Sequence, residues 1–220
     1  MVLSKTIKWM ITEQTYNTYL TALVNGKRKT CHDIVVELLG LDVDMKDLYV
    51  HLFQRALYQV GELWENNKIS VATEHIATAI TEGLLTLVYP KIFEADHSGK
   101  KAVIACVPNE FHQIGAKMVA DTFELNGWDG HFVGANTPSI ELIKLIQDND
   151  PDVIALSLSI YFNLPGFEKM VTDIRKTFPE TPIWAGGQAF RWGGLDVLNK
   201  FPNTLFVDSL HTLEQKINTN

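Results

Sequence analysis

Residues 102–115, AVIACVPNEFHQIG, join an apolar run to a polar loop and then to the start of an amphipathic segment. The run Ala102–Val107 has the length and composition of a buried strand, whereas Gly115–Leu125 has the periodicity of a helix. In α/β folds built from such units, ligands bind at the carboxyl ends of the strands. His112 therefore lies where a ligand-binding loop is expected.

The loop places a carboxylate close to this histidine. Glu110 precedes His112 by two residues, so it can accept a hydrogen bond from one ring nitrogen and leave the other as a metal ligand. Gly115 would let a bulky ligand approach the first turn of the helix. Taken alone, the same pattern also fits a structural histidine that is simply hydrogen-bonded.

Strands and helices alternate from this loop to the end of the chain. Further strands are predicted at His131–Val133, Val153–Ser159, Pro182–Ala185 and Thr204–Val207, with helices at Ser139–Gln147, Pro165–Phe178 and the C-terminus. Five strands with intervening helices predict a flavodoxin-like parallel sheet, doubly wound, in an α/β domain spanning residues 97–220.

The preceding residues, 1–96, have helical periodicity and predict an antiparallel four-helix bundle. The helices are expected at Thr12–Val24, at Lys29–Leu39, from Asp44 or Asp42 through Leu63, and from a cap at Ser70 to Tyr89, before Pro90. The residues expected to share one face of the third helix are Leu48, Leu52, Ala56, Val60 and Leu63. In the fourth helix, the residues expected to face inward are Ala72, Ile76, Ile80 and Leu84. The polar stretch Glu94–Lys101 is interpreted as the linker.

Composition and net charge argue against some classes of function. The 220 residues are 46% hydrophobic and 20% charged, and the net charge of −7 argues against direct nucleic-acid binding. No apolar run is long enough for a membrane helix, and Met1–Met10 lacks a signal-peptide segment, so a cytoplasmic protein is expected. Cys31 and Cys106 are too far apart in the chain to indicate a disulfide framework or a zinc site.

Three short motifs at strand ends resemble one known family. They read Glu110-Phe-His112-Gln-Ile-Gly115, then Ser157-Leu-Ser159, then Gly186-Gly187. This order is similar to that of the cobalamin-binding module of methionine synthases, corrinoid carrier proteins and light-sensing cobalamin-dependent repressors. Ser159 departs from many members, which have Leu or Thr there.

The resemblance implies a role for each of these residues. His112 would replace the benzimidazole base of cobalamin as the lower ligand of cobalt, and Glu110 would hold the ring. The displaced nucleotide tail would enter a slot with small residues, in which Gly186 and Gly187 leave room for the base and Ser157 donates to it. By the same resemblance, Thr137 would touch the nucleotide or the corrin edge, and Asn163 would bond the carboxylate.

A second, independent resemblance lies in the bundle. Trp64 is followed at a fixed interval by Glu74-His75, as in the segment that covers the upper corrin face of the light-sensing repressors. There the tryptophan and the Glu-His pair surround the adenosyl group, so adenosylcobalamin is expected here rather than methylcobalamin. Val71 shares the helix face of Glu74 and His75. The position after Trp64 holds Glu65, where the studied photoreceptors have a histidine.

The function expected from these resemblances is a cobalamin-dependent light sensor, not an enzyme, that signals through a regulator protein or further copies of itself. Residues 1–11 are too few for the winged helix of the repressors, so no DNA-binding domain of its own is expected. The main alternative is the corrinoid shuttle subunit of a methyltransferase system. A mutase subunit and an interaction module that has lost cobalamin are weaker alternatives.

Overall fold

The computed structural model describes residues 11–219, and the chain divides into two compact units after Pro90. We call them the helical unit and the sheet unit. The sequence placed this boundary a few residues later, after residue 96. The expectation about a signal peptide in Met1–Met10 falls outside the described residues. In the described range, no helix combines the length and apolar character needed to cross a membrane.

The helical unit follows the predicted order of helices. They are α1 (Glu13–Val24), α2 (Arg28–Gly40), α3 (Met45–Asp47), α4 (Arg55–Glu65), α5 (Val71–Leu85) and α6 (Tyr89–Ile92). The predicted N-caps form, because Asp44 accepts bonds from two amides of α3 and Ser70 accepts one from Thr73. Pro90 does not end the helix as expected, since it lies in the first turn of α6, where its missing N–H costs no helical bond.

The predicted third helix contains an irregular segment. Between α3 and α4 the chain forms a π-helix, Leu48–Gln54, within one continuous helical run. Of the predicted row Leu48, Leu52, Ala56, Val60 and Leu63, the first four are buried and Leu63 is half-buried. Apolar spacing by three and four identified this face correctly, but it contains no signal for the wider π turn.

The start of α5 is more exposed than the sequence suggested. Ile80 and Leu84 are buried as predicted, but Ala72 and Ile76 are exposed, so their inward placement was wrong. They lie on the same helix row as the buried pair, yet the helix is covered by its neighbours only from Ala77 onward. The first turns of α5 thus present an open surface.

The sheet unit is a five-stranded parallel sheet with the order β2-β1-β3-β4-β5, as in flavodoxin-like folds. Its elements are β1 (Lys101–Cys106), α7 (Ile114–Leu125), β2 (Asp129–Gly134), α8 (Ser139–Asn149), β3 (Val153–Ser157), α9 (Leu164–Thr177), β4 (Ile183–Gly186), α10 (Leu195–Leu198), β5 (Thr204–Phe206) and α11 (Leu210–Thr219). The predicted α/β fold class is confirmed.

The central strands are buried because helices cover both faces of the sheet. Apolar side chains of β1, β3 and β4 pack with those of α8 and α9 in one continuous core. The strand order reverses between β1 and β3, and parallel α/β folds commonly bind ligands at the carboxyl edge beside such a reversal. This is the edge where the sequence placed the ligand site.

Candidate functional site

The carboxyl edge of the sheet brings three sequence motifs together. Strand register pairs Cys106 with Ser157, and Ser157 with Gly186, so the ends of β1, β3 and β4 lie side by side. The loop that carries His112 begins directly after β1. The motifs at residues 110–115, 157–159 and 186–187 therefore meet at one edge.

Glu110 is fully buried at this edge and is surrounded by donors. Its Oε1 accepts from the backbone N–H of His112 at 3.0 Å and from the ring Nδ1 of His112 at 2.6 Å. Its Oε2 accepts from the backbone N–H groups of Ser159 and Ile160, both at 2.8 Å. The carboxylate thus ties the loop after β1 to the loop after β3.

These bonds determine the charge of Glu110. Burial alone would raise the pKa of a carboxyl group, but the hydrogen bonds from the His112 ring and from the amides of Ile160, His112 and Ser159 outweigh it and lower the pKa to about 2. A negative charge is therefore fixed beside His112 at neutral pH.

The His112 side chain is 58% exposed at this edge of the sheet. Because an ionised carboxylate can only accept, Nδ1 carries the proton in this contact and the lone pair of the neutral ring lies on Nε2. Metal-bound histidines commonly have this arrangement, in which a carboxylate holds the second ring nitrogen. A ring held in this way could coordinate a metal through Nε2.

The loop after β2 stabilises the segment around His112 through hydrogen bonds. Asn136 donates its backbone N–H to the carbonyl of Glu110, and its side-chain oxygen accepts from the N–H of Asn109. Gln113 accepts from the N–H of Ala135. Thr137 is buried, and its hydroxyl donates to the carbonyl of Gly134 at 3.1 Å, so in this structure it fixes the turn.

The three glycines of the motifs differ in their surroundings. A Cβ on Gly187, whose φ is +117°, would lie 2.1 Å from the carbonyl oxygen of Leu158, and one on Gly186 would lie 2.9 Å from that of Val207. Both glycines are thus required because another part of the chain approaches too closely for a side chain. The resemblance implies a different reason, namely room for the displaced base of cobalamin. A Cβ on Gly115 would meet nothing within 4 Å, so that helix start is open to a large ligand.

The loop after β3 contributes mainly through its backbone. Ser159 lies beyond the end of β3, and it contacts Glu110 through its N–H, while Ser157 is partly exposed in the last position of the strand. Asn163 donates to the carbonyl of Asn109 at 3.1 Å and reaches Glu110 Oε2 at 3.5 Å. Asn163 therefore contacts the carboxylate, although its stronger bond is to the loop.

The remaining predicted residues belong to the helical unit. Trp64, in the last turn of α4, is 46% exposed, and Val71, the first residue of α5, is 49% exposed. Glu74 accepts from His75 Nδ1 at 2.6 Å and from the hydroxyl of Thr78 at 2.8 Å. Within this unit, the structure brings Glu74 and His75 together near the open start of α5.

The sequence did not identify several residues that shape the site, namely Gln113, Asn136 and the amide of Ile160. Asn109 and Asn136 have left-handed φ values of 64° and 47°. Asparagine adopts this conformation more readily than most residues, so these two positions had a weak sequence signal. A backbone N–H donor leaves no signal in the identity of its residue.

Known protein families match both units of the chain. A model described as a B12 binding domain matches residues 100–203, and a second model with the same description matches residues 15–89. The chain is 29% identical, over 72% of its length, to the HTH-type transcriptional repressor CarH of Myxococcus xanthus and covers 52% of that protein. The chain thus spans about half the length of this repressor.

Corrinoid proteins are also similar. Dimethylamine corrinoid protein 3 of Methanosarcina acetivorans is 23% identical over 64% of this chain and 67% of its own length. The solved monomethylamine corrinoid protein of Methanosarcina barkeri has a TM-score of 0.80, with 12% identity, over 94% of this chain and 99% of that one. The latter likeness confirms the fold. The two domain matches together span most of the chain and show that it belongs to the family of B12-binding-domain proteins, which indicates cobalamin as its cofactor.

Proposed function

We propose that His112 is the lower ligand of cobalt, bound through Nε2, and that cobalamin binds with its own base displaced. The observation that carries this proposal is the 2.6 Å contact between His112 Nδ1 and the fully buried, ionised Glu110. An ionised carboxylate that accepts a hydrogen bond from Nδ1 increases electron donation by Nε2, which suits a metal ligand. The open helix start at Gly115 supports the fit, because a large ligand can approach there.

In this proposal the displaced nucleotide tail lies along the carboxyl edge of the sheet. Ser157 would donate to the displaced base from the end of β3, and Ser159, Thr137, Gly186 and Gly187 would shape the surrounding loops. Thr137 and the glycines act by holding the backbone, since their contacts in the structure are with the chain itself. In this arrangement the site recognises the nucleotide tail of cobalamin as well as its cobalt.

The helical unit, residues 1–96 in the sequence-based division, is proposed to cover the upper face of the corrin. Supporting this, residues 15–89 match a B12 binding domain model of their own. Trp64 and Val71 expose apolar surface, and Glu74 and His75 supply polar groups next to it. An aromatic ring with a carboxylate suits an adenosyl group, which has both a flat base and ribose hydroxyls, better than a methyl group.

The function we favour is an adenosylcobalamin-dependent light sensor. When bound, adenosylcobalamin supplies a cobalt–carbon bond that green light can break. Loss of the adenosyl group would remove the contacts made by Trp64 and Glu74, and the helical unit would change its association with a regulator protein or another copy of the chain. The identity to the CarH repressor supports a regulatory role, while the net charge of −7 disfavours direct DNA contact.

One observation favours a second candidate, a corrinoid shuttle subunit that carries a methyl group between methyltransferases. The fold of the monomethylamine corrinoid protein matches this chain over 99% of that protein's length and 94% of this chain. In that case partner enzymes, rather than light, would act on the cofactor.

The two functions are distinguished by loading the purified protein with adenosylcobalamin or methylcobalamin and recording absorbance and molecular mass in the dark and after green light. A sensor is expected to bind the adenosyl form tightly and to change its assembly state, or its binding to a co-purified regulator, on illumination. A Trp64→Ala variant should bind with His112 ligation intact but lose the preference for the adenosyl form. Unchanged mass and partner binding after complete photolysis would favour the shuttle.

A further inference from the structure

Trp184, in β4, lies one row of side chains further into the sheet than the glycine pair at the carboxyl edge. Strand register pairs Trp184 with Ala155 of β3, and Gly186 with Ser157. Side chains alternate between the two faces of a strand, so residues two apart share a face at a spacing of about 6–7 Å. Trp184 and Ala155 therefore form the row directly beneath Gly186 and Ser157.

This row faces α7. The Trp184 ring stacks on Phe123 of α7, with the ring centroids 5.8 Å apart and the planes inclined by 22°. Trp184 is 4% exposed and Ala155 is 5% exposed, whereas Ile154 and Ile183, on the opposite face of the same strands, are fully buried. The row on the α7 side is therefore almost enclosed but retains a small exposed surface.

The indole N–H of Trp184 has no hydrogen-bond acceptor among residues 11–219. In that range, the fully enclosed side-chain polar atoms without a partner are Tyr19 Oη and Arg175 Nε, so the Trp184 N–H is not sealed inside the core. Buried donors usually have an acceptor, because leaving one unpaired costs free energy. The Trp184 N–H is thus a donor to which a ligand can bring an acceptor.

We propose that Trp184 determines which lower base of a corrinoid the sheet unit prefers, by donating its N–H to an acceptor on the outer edge of the displaced base. The inference rests on the proposed function, because it requires the base to leave cobalt and to lie against Ser157. With the nitrogen that left cobalt at Ser157, the base turns its opposite edge toward the next row, which holds Ala155 and Trp184.

The chemistry of that edge decides the preference. A hydroxyl group or a purine ring nitrogen there accepts from Trp184 Nε1, whereas the two methyl groups of dimethylbenzimidazole leave the donor unpaired. A site with a polar group to satisfy discriminates strongly against an analogue that cannot pair with it. Ala155 leaves room beside the indole. The preferred ligands are therefore corrinoids with a hydroxybenzimidazole or purine base.

Titration of the full-length protein with two cobalt(III) corrinoids tests this inference. They have the same upper ligand and carry either hydroxybenzimidazole or dimethylbenzimidazole as the base. The wild-type protein should bind the hydroxyl form about tenfold more tightly, the scale of one hydrogen bond to a buried group. Trp184→Phe keeps an aromatic ring but removes the N–H, so it should bind the two corrinoids equally.

Trp128→Phe is the matched control. Trp128 is also 4% exposed and also packs on Phe123, at 5.5 Å between ring centroids, but it precedes β2 and is not part of the row beneath Ser157. This variant loses an indole N–H from the same aromatic cluster and should retain the tenfold preference.

A second readout needs no substitution. In protein with ¹⁵N-labelled tryptophan, the N–H resonance of Trp184 should lie further downfield in the hydroxyl complex than in the dimethyl complex, whereas that of Trp128 should be the same in both. If Trp184→Phe does not fold, the wild-type affinities and this resonance decide the question.

The outcomes separate this inference from the proposed function. Equal wild-type affinities, a preference that Trp184→Phe retains, or one Trp184 resonance position in both complexes would overturn the inference. The proposed function then still stands, provided that His112→Ala changes the lower-ligand spectrum. If neither corrinoid binds, or if His112→Ala leaves that spectrum unchanged, the proposed function fails and this inference fails with it.

Discussion

Glu110 is a buried carboxylate that stays ionised because its hydrogen bonds outweigh the cost of burial. Each of its oxygens accepts two short bonds, one pair from His112 and the other from consecutive amides of the loop after β3. An acceptor-only group is required, since every group that faces it is a donor. Glu110 thus orients His112 and joins two loops with one side chain.

Replacing Glu110 by Gln tests this account without any cofactor. The amide has a single acceptor oxygen, so its NH₂ group must face either the His112 donors or the two backbone N–H groups. We expect a loss of about 2 kcal/mol in the free energy of unfolding, measured by chemical denaturation of the cofactor-free protein. Glu141→Gln, which removes only an exposed pair with Lys144, is the control and should change stability by less than about 0.5 kcal/mol. Equal stability of the two variants would show that Glu110 is not held as described.

At the scale of elements, periodicity and capping residues identified most helices and strands. Residue type and spacing predict the buried helix rows that contain Leu48 and Ile80. They also predict the N-caps at Asp44 and Ser70. The π-helical segment and the exposed start of α5 could not be predicted, because they depend on how neighbouring helices end. The exposed start of α5 is where Val71 and His75 lie, so the residues proposed to cover the upper corrin face are in the part of the helical unit that was most difficult to predict.

Alanine substitutions at Gly187 and Gly115 are expected to change the stability of the protein differently. Gly187→Ala places a Cβ at positive φ and 2.1 Å from the carbonyl of Leu158, so we expect a loss of about 3 kcal/mol in unfolding free energy. Gly115→Ala lies in a helix with nothing within 4 Å of the new methyl group, and should leave stability within about 1 kcal/mol of wild type, on the stabilising side.

Titration with cobalamin tests whether Gly115 lies near the bound cofactor. Gly115→Ala should weaken cofactor binding although the apoprotein is not destabilised, because the added methyl group lies at the helix start beside His112. Unchanged affinity in Gly115→Ala would place the corrin away from α7. A fully stable Gly187→Ala protein would mean that the loop after β3 can move aside at little cost.

At the scale of the whole molecule, the two units match separate B12 binding domain models, and the fold of a corrinoid protein matches 94% of the chain. The sequence motifs at Glu110, His112 and Gly187 were sufficient to indicate this family, because they combine unusual chemistry with fixed spacing. The backbone amides of Ser159 and Ile160 donate hydrogen bonds to Glu110. These contacts depend on strand order, so the sequence contains no signal for them.

The central claim is that His112, and not the base of the cofactor, binds the lower face of cobalt. It is tested most directly by electron paramagnetic resonance of the cobalt(II) form of cobalamin in protein produced with ¹⁵N-labelled histidine. Cobalt(II) shows superhyperfine splitting from its axial nitrogen, and the spin of that nucleus sets the number of lines. Ligation by His112 predicts doublets from ¹⁵N, which must disappear in His112→Ala. Triplets from the unlabelled nitrogen of the benzimidazole base, unchanged by the substitution, would contradict the claim.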